Sequence, residues 1–176
     1  MDSGKIIFFT GCMFAGKSLS LIEKVQEIGK PFEGFKPLVD TRDGAFIASR
    51  NSTKKLAANM VDDISMAMNS VADVVVFDEI QFFKTEGFEE VIGALKDRGK
   101  IVLMSGLDRI ANGDYWKIYP IALDLSDEVV YLSAICDLCG KTATFTKRLE
   151  GGNEEIQIEG EGVRYIPTCE HCFRLK

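Results

Sequence analysis

Three groups of residues in this chain are spaced for chemistry. The first is Gly11-Cys12-Met13-Phe14-Ala15-Gly16-Lys17-Ser18, which fits the pattern Gly-x-x-x-x-Gly-Lys-Ser of a phosphate-binding loop. Gly11 and Gly16 permit turns that a Cβ would forbid, so that consecutive amides can face an anion. Lys17 offers a charge to outer phosphates, and the Ser18 hydroxyl suits a magnesium ion that bridges them. The second group is Asp78-Glu79-Ile80-Gln81-Phe82-Phe83, which follows an apolar run. An acid in that place can hold magnesium, often through water, and a second carboxylate beside it can accept a proton from an attacking hydroxyl. The same pair also suits a helix N-cap and a first-turn acid. The third is Cys136-x-x-Cys139 with Cys169-x-x-Cys172, two pairs whose four thiolates can converge on one tetrahedral zinc ion. Disulfides are the weaker alternative in a chain without export signals. His171 lies inside the second pair as a possible substitute ligand, although four cysteines suffice. Cys12 has no partner in sequence and suits a small packed side chain.

The elements that must position these groups are legible around them. Ile6-Ile7-Phe8-Phe9-Thr10 reads as a buried parallel strand leading into the loop, and Leu19, Leu21, Ile22 and Val25 recur at helical spacing behind it. That helix would aim its N-terminal amides at the same anion. Val71–Phe77 reads as a second strand that ends on Asp78-Glu79. A helix is predicted over Glu86–Asp97, with Ile101–Met104 and Val129–Leu132 as further strands. Ligands of open α/β sheets bind beyond the carboxyl ends of the strands, so both groups should face one site. Pro31-Phe32-Glu33-Gly34-Phe35-Lys36-Pro37 carries two prolines and a glycine and predicts, at best, a short edge strand.

Alternation of strand and helix gives an α/β fold, a parallel sheet with flanking helices. The cysteine pairs divide it into a nucleotide-binding domain over 1–132 and a small zinc-binding domain over 133–176. A chain of 176 residues is long enough for this arrangement. The net charge of −6 argues against a nucleic-acid polymer as partner. No apolar run reaches membrane-spanning length, and the first strand begins too early to leave room for a signal peptide. A soluble cytoplasmic protein with no membrane partner is the expectation.

Taken with Asp40-Thr-Arg-Asp43, Gly106-Leu-Asp108 and Thr146-Lys-Arg-Leu149, these groups make the chain resemble the small thymidine kinases of cells, poxviruses and phages, from Ile6 to Phe173. The resemblance implies a P-loop NTPase-like sheet and transfer of the γ-phosphoryl group of ATP to the 5′-hydroxyl of thymidine, with deoxyuridine as a second acceptor to consider. It implies an ATP site formed by Gly11, Cys12, Met13, Phe14, Ala15, Gly16, Lys17 and Ser18 with Asp78, Glu79, Ile80 and Gln81. Ser18 and Asp78 would hold magnesium, and Glu79 would act as base. The nucleoside pocket would comprise Met13, Phe82, Leu107, Trp116, Thr146, Ile156, Ile158 and Tyr165. The last three belong to a lasso loop whose ends zinc pins through Cys136, Cys139, Cys169 and Cys172. A homotetramer under feedback control by thymidine triphosphate is implied as well.

Three departures stand out. After Asp108 the family carries an aromatic in a Phe-x-x-x-x-Phe stretch, whereas this chain has Ala111 there and Trp116 near the second position. Losing one stacking ring costs on the order of 0.5–1.5 kcal/mol beyond area burial. A Ser-His segment reads Ser49-Arg50, which exchanges a titratable imidazole for a permanent charge. The Pro31–Pro37 stretch is shorter and less strand-like than the family's second strand. Two other classes remain open at this level: a zinc-containing P-loop ATPase that acts on a macromolecular partner, and a non-catalytic nucleotide-binding homologue. Retention of both Asp78 and Glu79 weighs against the second.

Overall fold

The computed structural model describes residues 3–50, 52–150 and 162–175. Strand β1 (Lys5–Gly11) leads through the glycine loop into α1 (Lys17–Ile28). Next come β2 (Phe32–Pro37), the antiparallel pair β3 (Phe46–Ala48) and β4 (Lys55–Ala57), and β5 (Asn59–Val61). A 3-10 turn precedes β6 (Val74–Phe77), and another over Ile80–Phe82 precedes α2 (Phe88–Asp97). Then follow β7 (Ile101–Leu107), α3 (Ile118–Leu125) and β8 (Glu128–Leu132). The cysteine-bearing end contains β9 (Ala134–Ile135), β10 (Thr142–Ala143), β11 (Phe145–Glu150), β12 (Arg164–Thr168) and α4 (Glu170–Arg174).

The main sheet is parallel throughout, in the order β5-β2-β6-β7-β1-β8. Its two faces follow from strict alternation along the strands. Phe8, Val75, Phe77, Val102 and Met104 point toward α2 and α3, where Phe88, Val91, Ile92, Leu95 and Ile118 cover them. Ile7, Phe9, Val74, Val76 and Leu103 point the other way, beneath Leu21, Ile22 and Val25 of α1 and Ile47 and Leu56 of the β3–β4 pair. Truncating one of these fully buried side chains to Ala would cost about 2–5 kcal/mol. Both faces being covered explains why the strands read as unbroken apolar runs.

The prediction for 31–37 needs correction. Phe32–Pro37 is an interior strand, paired with β6 on one side and β5 on the other. Proline is tolerated because Pro31 precedes the strand and uses only its carbonyl, which accepts from Val74 N at 3.1 Å, while Pro37 occupies the last position. Gly34 is there for room, since a Cβ would lie 2.7 Å from the Ala57 carbonyl oxygen of β4. The second predicted strand is also shorter than expected. It starts at Val74, and Val71 stands 96% exposed ahead of it. No helix among the described residues is long and apolar enough to cross a membrane.

Candidate active site

The glycine loop leaves the carboxyl end of β1, between β7 and β8. Gly11 has φ +148°, and a Cβ there would come within 2.1 Å of the Leu132 carbonyl oxygen, so only glycine lets β8 lie so close. Gly16, in a left-handed conformation, turns the chain into α1, whose first residue is Lys17. The Lys17 ammonium is buried and donates to the Cys12 carbonyl at 2.7 Å. Burial lowers its pKa, against the opposing pull of Glu79 and Asp78.

Asp78 follows β6 and is 4% exposed. Ser105 of β7, the strand between β6 and β1, donates to its Oδ1, and Ser18 donates to Oδ2 at 3.3 Å. Burial first, and then the charge of Glu79, pushes the Asp78 carboxyl up to about 7. Neighbouring ligands of one octahedral magnesium ion sit about 3 Å apart. The Ser18 and Asp78 oxygens therefore fit such an ion with little movement.

Glu79 holds a left-handed conformation at φ +52°. Phe14, at φ +65°, is the other non-glycine residue with positive φ among the described residues. Such strain costs on the order of 1–3 kcal/mol and concentrates at functional sites. It turns the Glu79 side chain away from helix capping, the role a strand-to-helix junction suggests, and no side-chain cap bond forms. The carboxylate instead accepts from Gln81 and from Arg42 Nη2, the latter at 2.6 Å. Arg42 Nε in turn donates to Asp40 at 2.6 Å, and Asp40 also meets the buried Lys36 ammonium at 3.1 Å. Burial pushes the Asp40 carboxyl up, but Arg42 and Lys36 outweigh it and hold it below the usual range. This charge chain joins residues far apart in sequence, which composition and spacing do not reveal. Its sequence signal was the Asp40-Thr-Arg string, to which no role could be attached.

A cleft of about 530 Å³ opens above these groups. Met13, Phe14, Gly16, Lys17 and Ser18 line it with Asp78, Glu79 and Gln81, and so do Phe82, Leu107, Trp116, Thr146 and Tyr165. The Phe82 and Trp116 rings meet edge to face at 5.7 Å, and Thr146 Oγ1 accepts from Met13 N at 3.0 Å, tying β11 to the glycine loop. Gly11, Cys12, Ala15 and Ile80 lie behind the lining. Cys12 donates its thiol to Ala143 O at 3.4 Å, and burial raises its pKa, as suits a packed residue. Ile156 and Ile158 lie outside the described residues. Arg42, Arg50, Arg109 and Val163 also line the cleft and were absent from the predicted pocket.

The four paired cysteines are free thiols whose Sγ atoms all lie within 4.8 Å of one another, with Cys139 and Cys169 3.6 Å apart. Tetrahedral zinc–thiolate bonds place sulfurs about 3.8 Å apart, so the set fits zinc. Burial pushes the Cys136 thiol up, but hydrogen bonds from backbone groups of Cys169, Leu138 and Cys139 outweigh it and bring it to about 6. His171 is exposed and stands outside this cluster.

A family model described as thymidine kinase matches residues 4–173. A thymidine kinase of Bacteroides fragilis is 30% identical over 176 residues, covering 97% of this chain and 87% of that protein. One of Bacteroides thetaiotaomicron is 31% identical over 175 residues, with the same coverage. Among solved structures, the genome packaging NTPase B204 from Sulfolobus turreted icosahedral virus 2, in complex with ATP-gammaS, is similar at a TM-score of 0.47 and 15% identity. That match covers 74% of this chain and 75% of that one.

Proposed function

The chain belongs to the thymidine kinase family, and on that premise we propose that it moves the γ-phosphoryl group of ATP to the 5′-hydroxyl of thymidine inside this cleft. The observation that most supports the reading is the position of Glu79. It lines the cleft together with Lys17 and Ser18 and with Phe82, Trp116, Thr146 and Tyr165, on a left-handed backbone. Glu79 takes the proton of the 5′-hydroxyl as that oxygen bonds to the γ-phosphorus and the bond to the β-phosphate oxygen breaks. Gln81 and Arg42 hold the carboxylate in place. Lys17 exchanges its bond to Cys12 O for the phosphates, and amides of the glycine loop cradle them. Ser18 and Asp78 would hold magnesium, which supplies charge neutralisation between the outer phosphates. Tyr165 and the Phe82–Trp116 pair enclose the base and exclude water.

The same reading makes 133–176 a small domain closed by zinc on Cys136, Cys139, Cys169 and Cys172. It also includes Ile156 and Ile158 in the nucleoside pocket and expects a cytoplasmic homotetramer, which sedimentation would check. The decisive assay gives zinc-loaded protein ATP, magnesium and each deoxynucleoside in turn. Thymidine is phosphorylated best, and Glu79→Gln lowers kcat by about 10²–10⁴-fold with both KM values held. ATP hydrolysis with no nucleoside monophosphate formed would overturn the assignment. Undiminished turnover in Glu79→Gln would remove the base alone.

A further inference from the structure

Arg109 and Tyr115, in the segment that leads to Trp116, form a column with rings from α3, β11 and α4. Tyr119 of α3 stacks on Tyr115 at 5.0 Å, with the rings 8° from parallel. The Arg109 guanidinium lies over two rings, 4.1 Å from the Tyr115 ring centre and 4.8 Å from that of Phe145. Phe145 of β11 stacks at 4.8 Å on Phe173 of α4. The column thus runs from a helix packed on the main sheet to the helix that carries Cys172.

Arg109 is fixed in this stack by more than its faces. It donates to Gly113 O at 3.1 Å and to the Tyr115 hydroxyl at 2.6 Å, and pairs with Asp108 at 3.7 Å. The 109–115 turn closes on itself through Ile110 N to Asp114 O at 2.8 Å. Gly113, at φ +99°, lets the turn approach the Phe173 ring, which a Cβ would meet at 3.2 Å. A planar guanidinium can stack on two rings at once, whereas an aliphatic side chain or an ammonium cannot. Arg109 itself lines the cleft, and the other inner members of the column are chain neighbours of its wall. Arg109 follows Leu107 by two residues, Tyr115 precedes Trp116 and Phe145 precedes Thr146.

We propose that Arg109 is a positioning residue that joins the cysteine cluster to the nucleoside wall, so that zinc on the thiolates and nucleoside in the cleft stabilise each other's binding. The proposal rests on the thymidine-site reading above, but its test does not require turnover. Zinc release from zinc-loaded protein to a chromogenic chelator is measured with and without saturating thymidine. In the unaltered protein thymidine slows release about tenfold, and in Arg109→Leu, still loaded with zinc, that slowing disappears. The thymidine Kd, read by equilibrium dialysis, rises about tenfold in the zinc-loaded variant while the Kd of an ATP analogue stays within about twofold. Should Arg109→Leu fail to fold, Tyr115→Phe removes only the hydroxyl that accepts from Arg109, and it reduces the slowing about threefold. Equal slowing in the unaltered protein and the variants, or no slowing in the unaltered protein, overturns the proposal. Loss of slowing in Arg109→Leu, in a protein that phosphorylates no nucleoside, sustains this coupling and overturns the kinase reading instead.

Discussion

The glycine loop and the nucleoside wall face each other across one cleft, yet they are built by different means. The loop is eight consecutive residues hung between β1 and α1, and its shape follows from backbone requirements at Gly11 and Gly16. The wall gathers Met13, Phe82, Leu107, Trp116, Thr146 and Tyr165 from separate segments, with a Phe82–Trp116 ring contact and a bond from Met13 N to the Thr146 hydroxyl among the contacts that join them. On the proposed function, the locally coded half carries the phosphoryl chemistry. On the same reading, a half assembled over long range can change at Ala111 and Trp116 and shift substrate preference while leaving the loop's geometry as it is.

Beyond Glu79→Gln, the largest expected effect tests the local half. Lys17→Met lowers kcat/KM by about 10³-fold, because a charge that acts where phosphate charge develops is lost. Thymidine binding measured by equilibrium dialysis stays within about twofold. A parallel loss of thymidine affinity would mean that the halves are not separate.

This division also governs what could be learned from sequence. The strands β1, β6, β7 and β8, the loop and both carboxylates were legible because each depends on residues adjacent in the chain. Strand β2 was not, because its prolines fall where no ladder donor is needed and Gly34 answers to Ala57 of β4, a contact that only the fold creates. The described members of the predicted pocket do line the cleft, but their positions came from family resemblance. The Lys36–Asp40–Arg42–Glu79 chain escaped both routes, since nothing in the spacing pairs Arg42 with Glu79.

Next in size is Asp78→Asn, with turnover expected to fall about 10²-fold. Its stability effect has the opposite sign. The folded-state pKa of Asp78, about 7, lies above that of an unfolded aspartate, so the native state binds the extra proton between the two values. Without added nucleotide or magnesium, stability from this group is present at low pH and lost as pH rises through about 7. Asp78→Asn removes that slope and stabilises the protein at pH 7.5 by on the order of 2 kcal/mol in urea unfolding. Unchanged pH dependence would remove Asp78 as its source.

Cys169→Ser probes the long-range half. Metal analysis should fall from one zinc per chain to none, with thymidine KM raised about tenfold and ATP KM within about twofold. An equal rise in both would erase the distinction between the halves. The smallest effect belongs to Trp116→Phe, which trims the ring beside Phe82 and shifts thymidine KM about two- to tenfold without changing kcat. A change confined to kcat would place Trp116 in the chemistry instead of the wall.

The most direct test of one cleft with two separately built halves is a crystal structure with magnesium, a non-hydrolysable ATP analogue and thymidine. The account predicts triphosphate along residues 11–18, thymine against Phe82 and Trp116, and the 5′-oxygen within about 3 Å of the Glu79 carboxylate. A nucleoside bound outside this cleft, or with its 5′-oxygen turned away from Glu79, would contradict it.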